Sequence, residues 1–239
     1  MKILILGSTG MLGHMVKKYL EQFFEIQTLN GYWPEEEYKN KIQESKADFL
    51  INCVGAIPQK TKTFSINFEL PIFIEENFNG KIIHPGTDCE MDEEDEYGLS
   101  KRNAKEYIIS KGSRTKIIKS SIIGPEVNTK ASLLEWFLNA EESVTGYTKA
   151  MWSGVTTLQW AKVCKNLIEK WDSYEVENIL ESTCLSKYDL LVLFKILFNK
   201  DIEIIPNNNF SKNRCLVGTI KVPSILNQLL ELKEFYYDN

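Results

Sequence analysis

The first thirteen residues constrain this chain more than any other segment. Lys2 to Leu6 is a continuous apolar run of strand length, and Gly7-Ser-Thr-Gly10-Met-Leu-Gly13 follows at once. Met11, Leu12, Met15, Val16, Tyr19 and Leu20 then recur at helical spacing. A strand without polar alternation is buried on both faces, as in a parallel sheet. Strand, glycine turn and helix in that order make the first half of a βαβ unit. The first glycine permits the tight turn, the second lets backbone approach a diphosphate, and the third lets the helix lie against the strand. The helix N-terminus then offers N–H groups and the positive end of its dipole to the phosphates. Gly7, Ser8, Thr9, Gly10, Met11 and Leu12 are therefore candidate dinucleotide-binding residues.

The pattern continues downstream. Residues 25–29, 48–54, 81–85 and 115–123 read as further strands, and 35–45, 66–77, 100–110, 132–140 and 157–171 as helices. Strands alternating with helices predict an α/β fold with a doubly wound parallel sheet of Rossmann type. Beyond residue 125 the order changes. There 146–154 reads as turn and loop, 176–180 as a strand, 187–198 as a helix, and 206–213, with three consecutive asparagines, as a surface loop. This divides the chain into a dinucleotide-binding region, 1–125, and a small α/β substrate-side lobe, 126–239, interleaved as one structural unit.

Composition narrows the function. A formal charge of −5 and no Lys/Arg cluster exclude a general attraction to nucleic acid. No segment is apolar for the ~18 residues that a membrane span needs. The five cysteines, Cys53, Cys89, Cys164, Cys184 and Cys215, lie far apart without CxxC spacing, and are expected as reduced thiols, neither disulfides nor zinc ligands. His14 and His84 do not build a metal site alone. Met1 leads directly into an apolar strand with no secretory h-region, so the expected compartment is the cytoplasm.

The chemistry is expected at the carboxyl ends of the strands. At the tip of the second strand, Thr28-Leu29-Asn30-Gly31 carries no carboxylate to hold a ribose 2′-OH, which favours NADPH while leaving NADH open. Asn52, Cys53, Val54 and Gly55, after the third strand, would lie beside the nicotinamide half. Tyr97 and Lys101 stand four apart, so on a helix they share a face. A lysine ammonium near a phenol favours the phenolate, moving a pKa of ~10 toward neutrality. Such a tyrosine exchanges a proton with a carbonyl oxygen as hydride moves between nicotinamide and carbon. Thr87, near the end of the fourth strand, can hold the same oxygen.

With these residues in place, the chain resembles the extended short-chain dehydrogenase/reductases, and among them the dTDP-4-dehydrorhamnose reductase-like sugar-nucleotide reductases. The likeness rests on Gly7 to His14, Asn52 to Gly55, Asn67 with Leu70-Pro71, Gly86-Thr87-Asp88-Cys89, Tyr97 to Lys101 and Ser120 to Glu126. It implies Thr87, Tyr97 and Lys101 as catalytic residues, with Ser120, Ser121 and Ile122 beside the nicotinamide. Substrate contacts would come from Thr87, Asp88, Cys89, Tyr97, Trp136, Trp152 and Arg214. Among these, Trp136, next to Phe137, leans toward core packing, whereas Trp152, read in a loop, and Arg214 lean toward the substrate.

Two departures stand out. Gly86 replaces a serine common in the family, and Thr87 precedes Tyr97 by only ten residues where about twenty are usual, which would leave the sugar pocket more open. The related 4,6-dehydratases carry Thr-Asp-Glu where this chain has Thr87-Asp88-Cys89, which disfavours dehydration, although Glu90 is adjacent. The resemblance implies NADPH-dependent reduction of the 4-keto group of a UDP- or dTDP-linked 4-keto-6-deoxy sugar, a step in deoxysugar supply for surface glycans. The alternatives are an epimerase that retains NAD and a catalytically silent dinucleotide-binding regulatory subunit. A homodimer through the helix carrying Lys101 is compatible with the sequence.

Overall fold

A computed structural model of the protein describes residues 1–91, 96–112 and 114–238. In chain order, the first part runs β1 (Lys2–Leu6), α1 (Met11–Leu20), β2 (Glu25–Thr28), α2 (Glu36–Gln43), β3 (Phe49–Asn52), α3 (Ile66–Asn77), β4 (Lys81–Gly86), a 3-10 turn (Asp88–Met91), α4 (Glu96–Lys111) and β5 (Thr115–Lys119). Then come β6 (Ile122–Ile123), α5 (Leu133–Asn139), β7 (Val144–Trp152), β8 (Val155–Thr156), α6 (Thr157–Glu169), β9 (Glu177–Glu181), β10 (Leu185–Ser186), α7 (Lys187–Leu197), β11 (Ile204–Arg214), β12 (Ile220–Lys221) and α8 (Ile225–Tyr236). Two compact units result, one of Met1–Lys119 with Ala161–Asn178, the other of Ser120–Trp160 with Ile179–Asn239.

The parallel central sheet has the strand order β12-β9-β5-β4-β3-β1-β2. Its apolar strands lie where the sequence placed them, because Ile3, Ile5, Leu6, Leu50, Ile51, Ile83, Ile117 and Ile118 are all fully buried. Each such side chain contributes roughly 1.5–3 kcal/mol on leaving water. At one end of the sheet β2, with Glu25, Gln27 and Thr28 exposed, is a solvated edge. β1 pairs with β2 on one side and β3 on the other, Ile3 facing Ile26 and Phe49 respectively. Strand succession therefore reverses at β1, the place beyond whose carboxyl end a sheet of this kind takes its ligand.

Helix α1 buries Leu12, Gly13, Met15, Val16 and Leu20 on one stripe. Its close seat depends on Gly13, since a Cβ there would fall 2.1 Å from the Gly7 carbonyl oxygen. Gly13→Ala is expected to cost about 2–3 kcal/mol as α1 is pushed off β1, measurable as a lowered urea midpoint with an unchanged slope.

In the second unit a three-stranded sheet is ordered β10-β7-β11. Here the sequence reading needs correction. Residues 146–152 are not loop but the body of β7, with 153–154 alone connecting it to β8, and 206–213 is not a loop but most of β11. The pairing of Ile204 to Asn207 and then Ser211 to Arg214 along β7, across an irregularity between Asn207 and Ser211, overrides the turn propensity of the asparagines. Pro206 is tolerated because β11 is an edge strand. The expectation of free thiols also fails at one pair, for Cys184 and Cys215 form a disulfide with Cα atoms 5.6 Å apart. Their 31-residue separation hides what the register shows: Leu185 and Arg214 both face Trp152, so the two cysteines meet over the end of β7. Cys184→Ser is expected to cost about 3 kcal/mol, the scale of a closed loop of this length, read as a loss of Tm that reductant reproduces in the wild type.

Helix α8 was not anticipated. Ser224 accepts from the Asn227 N–H at its start, and Ile225, Gln228, Leu229 and Leu232 are buried along one stripe, a signal present in the sequence but obscured by the exposed Leu226 and Leu230. Among the described residues no helix is long and apolar enough to cross a membrane.

Candidate functional site

The glycine loop and the segment after β3 meet at the sheet's switch point. Cys53 N–H donates to the Leu6 carbonyl at 3.0 Å. Gly7 adopts φ +72, and a Cβ on it would stand 2.9 Å from the Cys53 carbonyl carbon and oxygen. Gly7 and Gly13 are thus required by the chain's own packing. Gly10 differs: a Cβ on it would meet nothing nearer than the Gly7 oxygen at 3.5 Å. The fold leaves that space open, and α1 begins at Gly10 with no side-chain cap and no acidic residue in its first turn. Glycine at position 10 therefore fits a ligand's need, and the open N-terminus of α1 suits a diphosphate. Ser8, Thr9, Met11 and Leu12 complete this turn.

Asn52, fully buried, is turned inward: its Oδ1 accepts from Val54 N–H at 3.0 Å and its amide lies 3.3 Å from His84 Nδ1. It shapes the loop that carries Cys53, Val54 and Gly55. Burial pushes the Cys53 thiol far up despite the nearby Lys101 charge, so it stays protonated. At the β2 tip Asn30 is exposed, and its carbonyl accepts from Lys41 Nζ at 3.3 Å, while Lys41 also pairs with Glu37 at 2.6 Å. The sequence put no cation at this tip; α2 brings one there from eleven residues away.

Tyr97 and Lys101 lie one turn apart on α4, which begins at Glu96, four residues earlier than the sequence suggested. Gly98 explains the early start. A Cβ on it would lie 2.1 Å from the Cys89 carbonyl oxygen, so the first turn of α4 rests directly on the turn after Thr87. Ser100 Oγ donates to the Tyr97 carbonyl at 2.7 Å, and the Tyr97 ring stands edge-on to Phe64 with centroids 5.8 Å apart. Lys101 is buried, its ammonium 3.5 Å from the place a Gly55 Cβ would take. Burial lowers its pKa to about 8, with Glu90 and Cys53 pulling the other way. The lysine therefore remains mostly charged at neutral pH beside the loop after β3.

Asn67 was noted in the sequence only through resemblance, yet it ties these parts together. Its Oδ1 accepts from Ala56 N–H at 2.8 Å, and its Nδ2 donates to the Ala56 carbonyl at 3.0 Å and Ser100 Oγ at 3.3 Å. One buried amide thus links α3, the loop after β3 and α4.

Thr87 is buried just past β4. Its hydroxyl donates to Asp88 Oδ1 and accepts from Cys89 N–H, each at 3.2 Å. The Cys89 thiol points to the same Asp88 oxygen at 3.7 Å. Glu90 turns underneath, where its carboxylate pairs with Lys105 at 3.0 Å and Lys119 at 3.1 Å. That withdraws it from the acid–base role which its place in sequence left open. The shortened connection from Thr87 to Tyr97 falls partly on 92–95, outside the described residues.

The remaining candidates belong to the second unit. Ser120 is buried, the Ser121 carbonyl accepts from Val155 N–H at 2.9 Å, and Ile122 pairs through β6 with β8. Phe137 packs into the interior against Phe194, as expected, but Trp136 is 42% exposed on the other side of α5. Trp152 is buried at the end of β7, with Lys187 Nζ 4.9 Å above its ring, and the Arg214 backbone is its register partner on β11.

The reversal of strand order at β1, with a glycine turn opening there, defines a Rossmann-type α/β fold. Among solved structures the chain is similar to a dTDP-4-dehydrorhamnose reductase from Clostridium acetobutylicum, at 18% identity and a TM-score of 0.77 over 98% of this chain and 99% of that one. It is similar also to a dTDP-4-dehydrorhamnose reductase from Bacillus anthracis in complex with NADP, at 13% identity and a TM-score of 0.82 over 100% and 99%. A UDP-glucose 4-epimerase from Thermotoga maritima with UDP-glucose matches at 15% identity and a TM-score of 0.75 over 100% and 99%. No protein-family model matches the chain, and no curated protein matches it by sequence. At these identities the shared property is the fold, along the whole chain.

Proposed function

We propose that the protein is an NADPH-dependent reductase that converts the 4-keto group of a UDP- or dTDP-linked 4-keto-6-deoxy sugar to an alcohol, completing a deoxysugar donor for glycan synthesis. The observation that carries this reading is the pairing of Tyr97 with a buried, charged Lys101 on one face of α4, beside the loop after β3. NADPH, when bound, supplies the hydride. Gly7 to Leu12 would hold its diphosphate, Lys41 at the β2 tip suits a 2′-phosphate, and Lys101 would hold ribose hydroxyls. Tyr97 gives its phenolic proton to the sugar O4 as the carbon is reduced, and the Lys101 ammonium favours the phenolate left behind. Thr87 aligns the carbonyl through its hydroxyl. Two of the similar structures are reductases of this kind, one of them in complex with NADP.

The likeness to the UDP-glucose 4-epimerase keeps a second reading, in which the same tyrosine serves oxidation and re-reduction of one carbon with a retained NAD. The test is NADPH consumption by the purified protein with UDP- and dTDP-linked 4-keto-6-deoxy sugars, including N-acetylated forms. Turnover with one of them is the expected result. Silence with all of them, together with NAD released on denaturation, favours the epimerase instead. Silence without bound cofactor moves the protein to the regulatory class.

A further inference from the structure

The turn after β4 contains more structure than a connection needs. Thr87-Asp88-Cys89-Glu90 is a reciprocal capping box: Thr87 Oγ1 accepts from Cys89 N–H at 3.2 Å, and Glu90 Oε1 accepts from Thr87 N–H at 3.1 Å. A capping glutamate ordinarily sits in water, where it needs no counter-ion. This one is 3% exposed and lies between Lys105 of α4 and Lys119 of β5, both of which also reach Glu177, at 3.4 and 3.7 Å. Burying a carboxylate is costly unless it is paired, so two lysines on separate elements are committed to holding this one in place.

Gly86 completes the arrangement. A Cβ at that position would stand 3.2 Å from Glu90 Oε1, 3.1 Å from Ile117 Cγ2 and 3.3 Å from Lys119 Cα. A side chain at position 86 would therefore crowd the glutamate oxygen. The absence of a side chain at 86 and the inward seat of the Glu90 carboxylate are thus sterically coupled.

We propose that Glu90 is a positioning residue, whose carboxylate, seated under Gly86 and clamped by Lys105 and Lys119, anchors the Thr87 peptide N–H and so fixes where the Thr87 hydroxyl points. The inference rests on the proposed role of Thr87 in aligning the sugar carbonyl. Burial raises the Glu90 pKa, but Lys119, the Thr87 N–H and Lys105 together hold it below the usual carboxylate range, so the anchor is ionised at neutral pH. Glu90 also acts on Lys101 through space. A cycle with Thr87 separates the two effects.

The experiment is a double-mutant cycle of Glu90→Ala and Thr87→Val in the full chain, with kcat and the KM for NADPH measured on the keto sugar that gives turnover. Glu90→Ala is expected to lower kcat on the order of 10- to 100-fold, the range of a misplaced contact, with KM for NADPH unchanged. In the Thr87→Val background the same change is expected to add less than about twofold. Multiplying losses, or a loss shared by NADPH binding, would overturn the proposal. A second readout needs no activity: exchange of the Thr87 amide should quicken at least about tenfold in Glu90→Ala while amides of β1 keep their protection. Unchanged exchange at Thr87 overturns the proposal as well. A wild type silent on every keto sugar refutes the reductase reading instead, and the exchange result then decides the anchoring by itself. Should Glu90→Ala fail to fold, Glu90→Gln keeps the side chain's bulk and removes the charge that Lys105 and Lys119 clamp, and the same two readouts apply with the same outcomes.

Discussion

Tyr97→Phe is expected to lower kcat by about a thousandfold, within the range for loss of a positioned general acid, while NADPH binds as before. The substitution removes one hydroxyl and keeps the ring. The ring keeps its edge-on contact with Phe64 at 5.8 Å, and the Ser100 hydroxyl still reaches the backbone carbonyl of residue 97 at 2.7 Å. The fit of α4 against the turn after Thr87 is set by Gly98, which the change does not touch. Turnover on the keto sugar and a fluorescence titration with NADPH measure the two arms. A parallel loss of binding and turnover would mean that the tyrosine organises the site and transfers no proton.

How much of this site could be read from the sequence depends on how local each feature is. The glycine turn was legible in full, because its three glycines are punctuated by an apolar strand before and a helical stripe after. The pairing of Tyr97 with Lys101 was legible as spacing, but its geometry depends on α4 starting at Glu96, which follows from the close approach of Gly98 to Cys89, a contact no periodicity records. Lys41 at the β2 tip and the burial of Glu90 are products of α2 and of the α4–β5 packing, and neither has a linear signal. The second unit was the least legible. β11 is built from residues with low strand propensity, and it exists because β7 supplies a partner along its length. The disulfide was missed for the same reason, since its cysteines are joined by register rather than by spacing.

Lys101→Met is expected to act on activity and stability in opposite directions. Lys101 is 6% exposed, and burial lowers its pKa from 10.5 to about 8 even with Glu90 and Cys53 drawing it up. The folded value lies below the unfolded one, so below pH 8 both states hold the proton and the folded protein carries the whole cost of burying the charge. Between about 8 and 10.5 the unfolded chain keeps a proton that the folded chain has released, and stability rises with pH across that window. At about 1.4 kcal/mol per pKa unit, the cost near neutrality is on the order of 3 kcal/mol. Methionine fills the same channel without the charge. At pH 7 the variant should melt roughly 5 °C higher than the wild type, and the gap should close as pH approaches 10. Turnover should fall by about a thousandfold or more, because the phenolate of Tyr97 loses its counter-charge. Added NADPH should raise the wild-type Tm more than that of the variant, since the ribose loses a partner. That combination would mark Lys101 as a charge retained for chemistry against the interest of the fold. A variant that melts lower at pH 7 would reverse the assignment and make the ammonium a structural tie between α4 and the loop after β3.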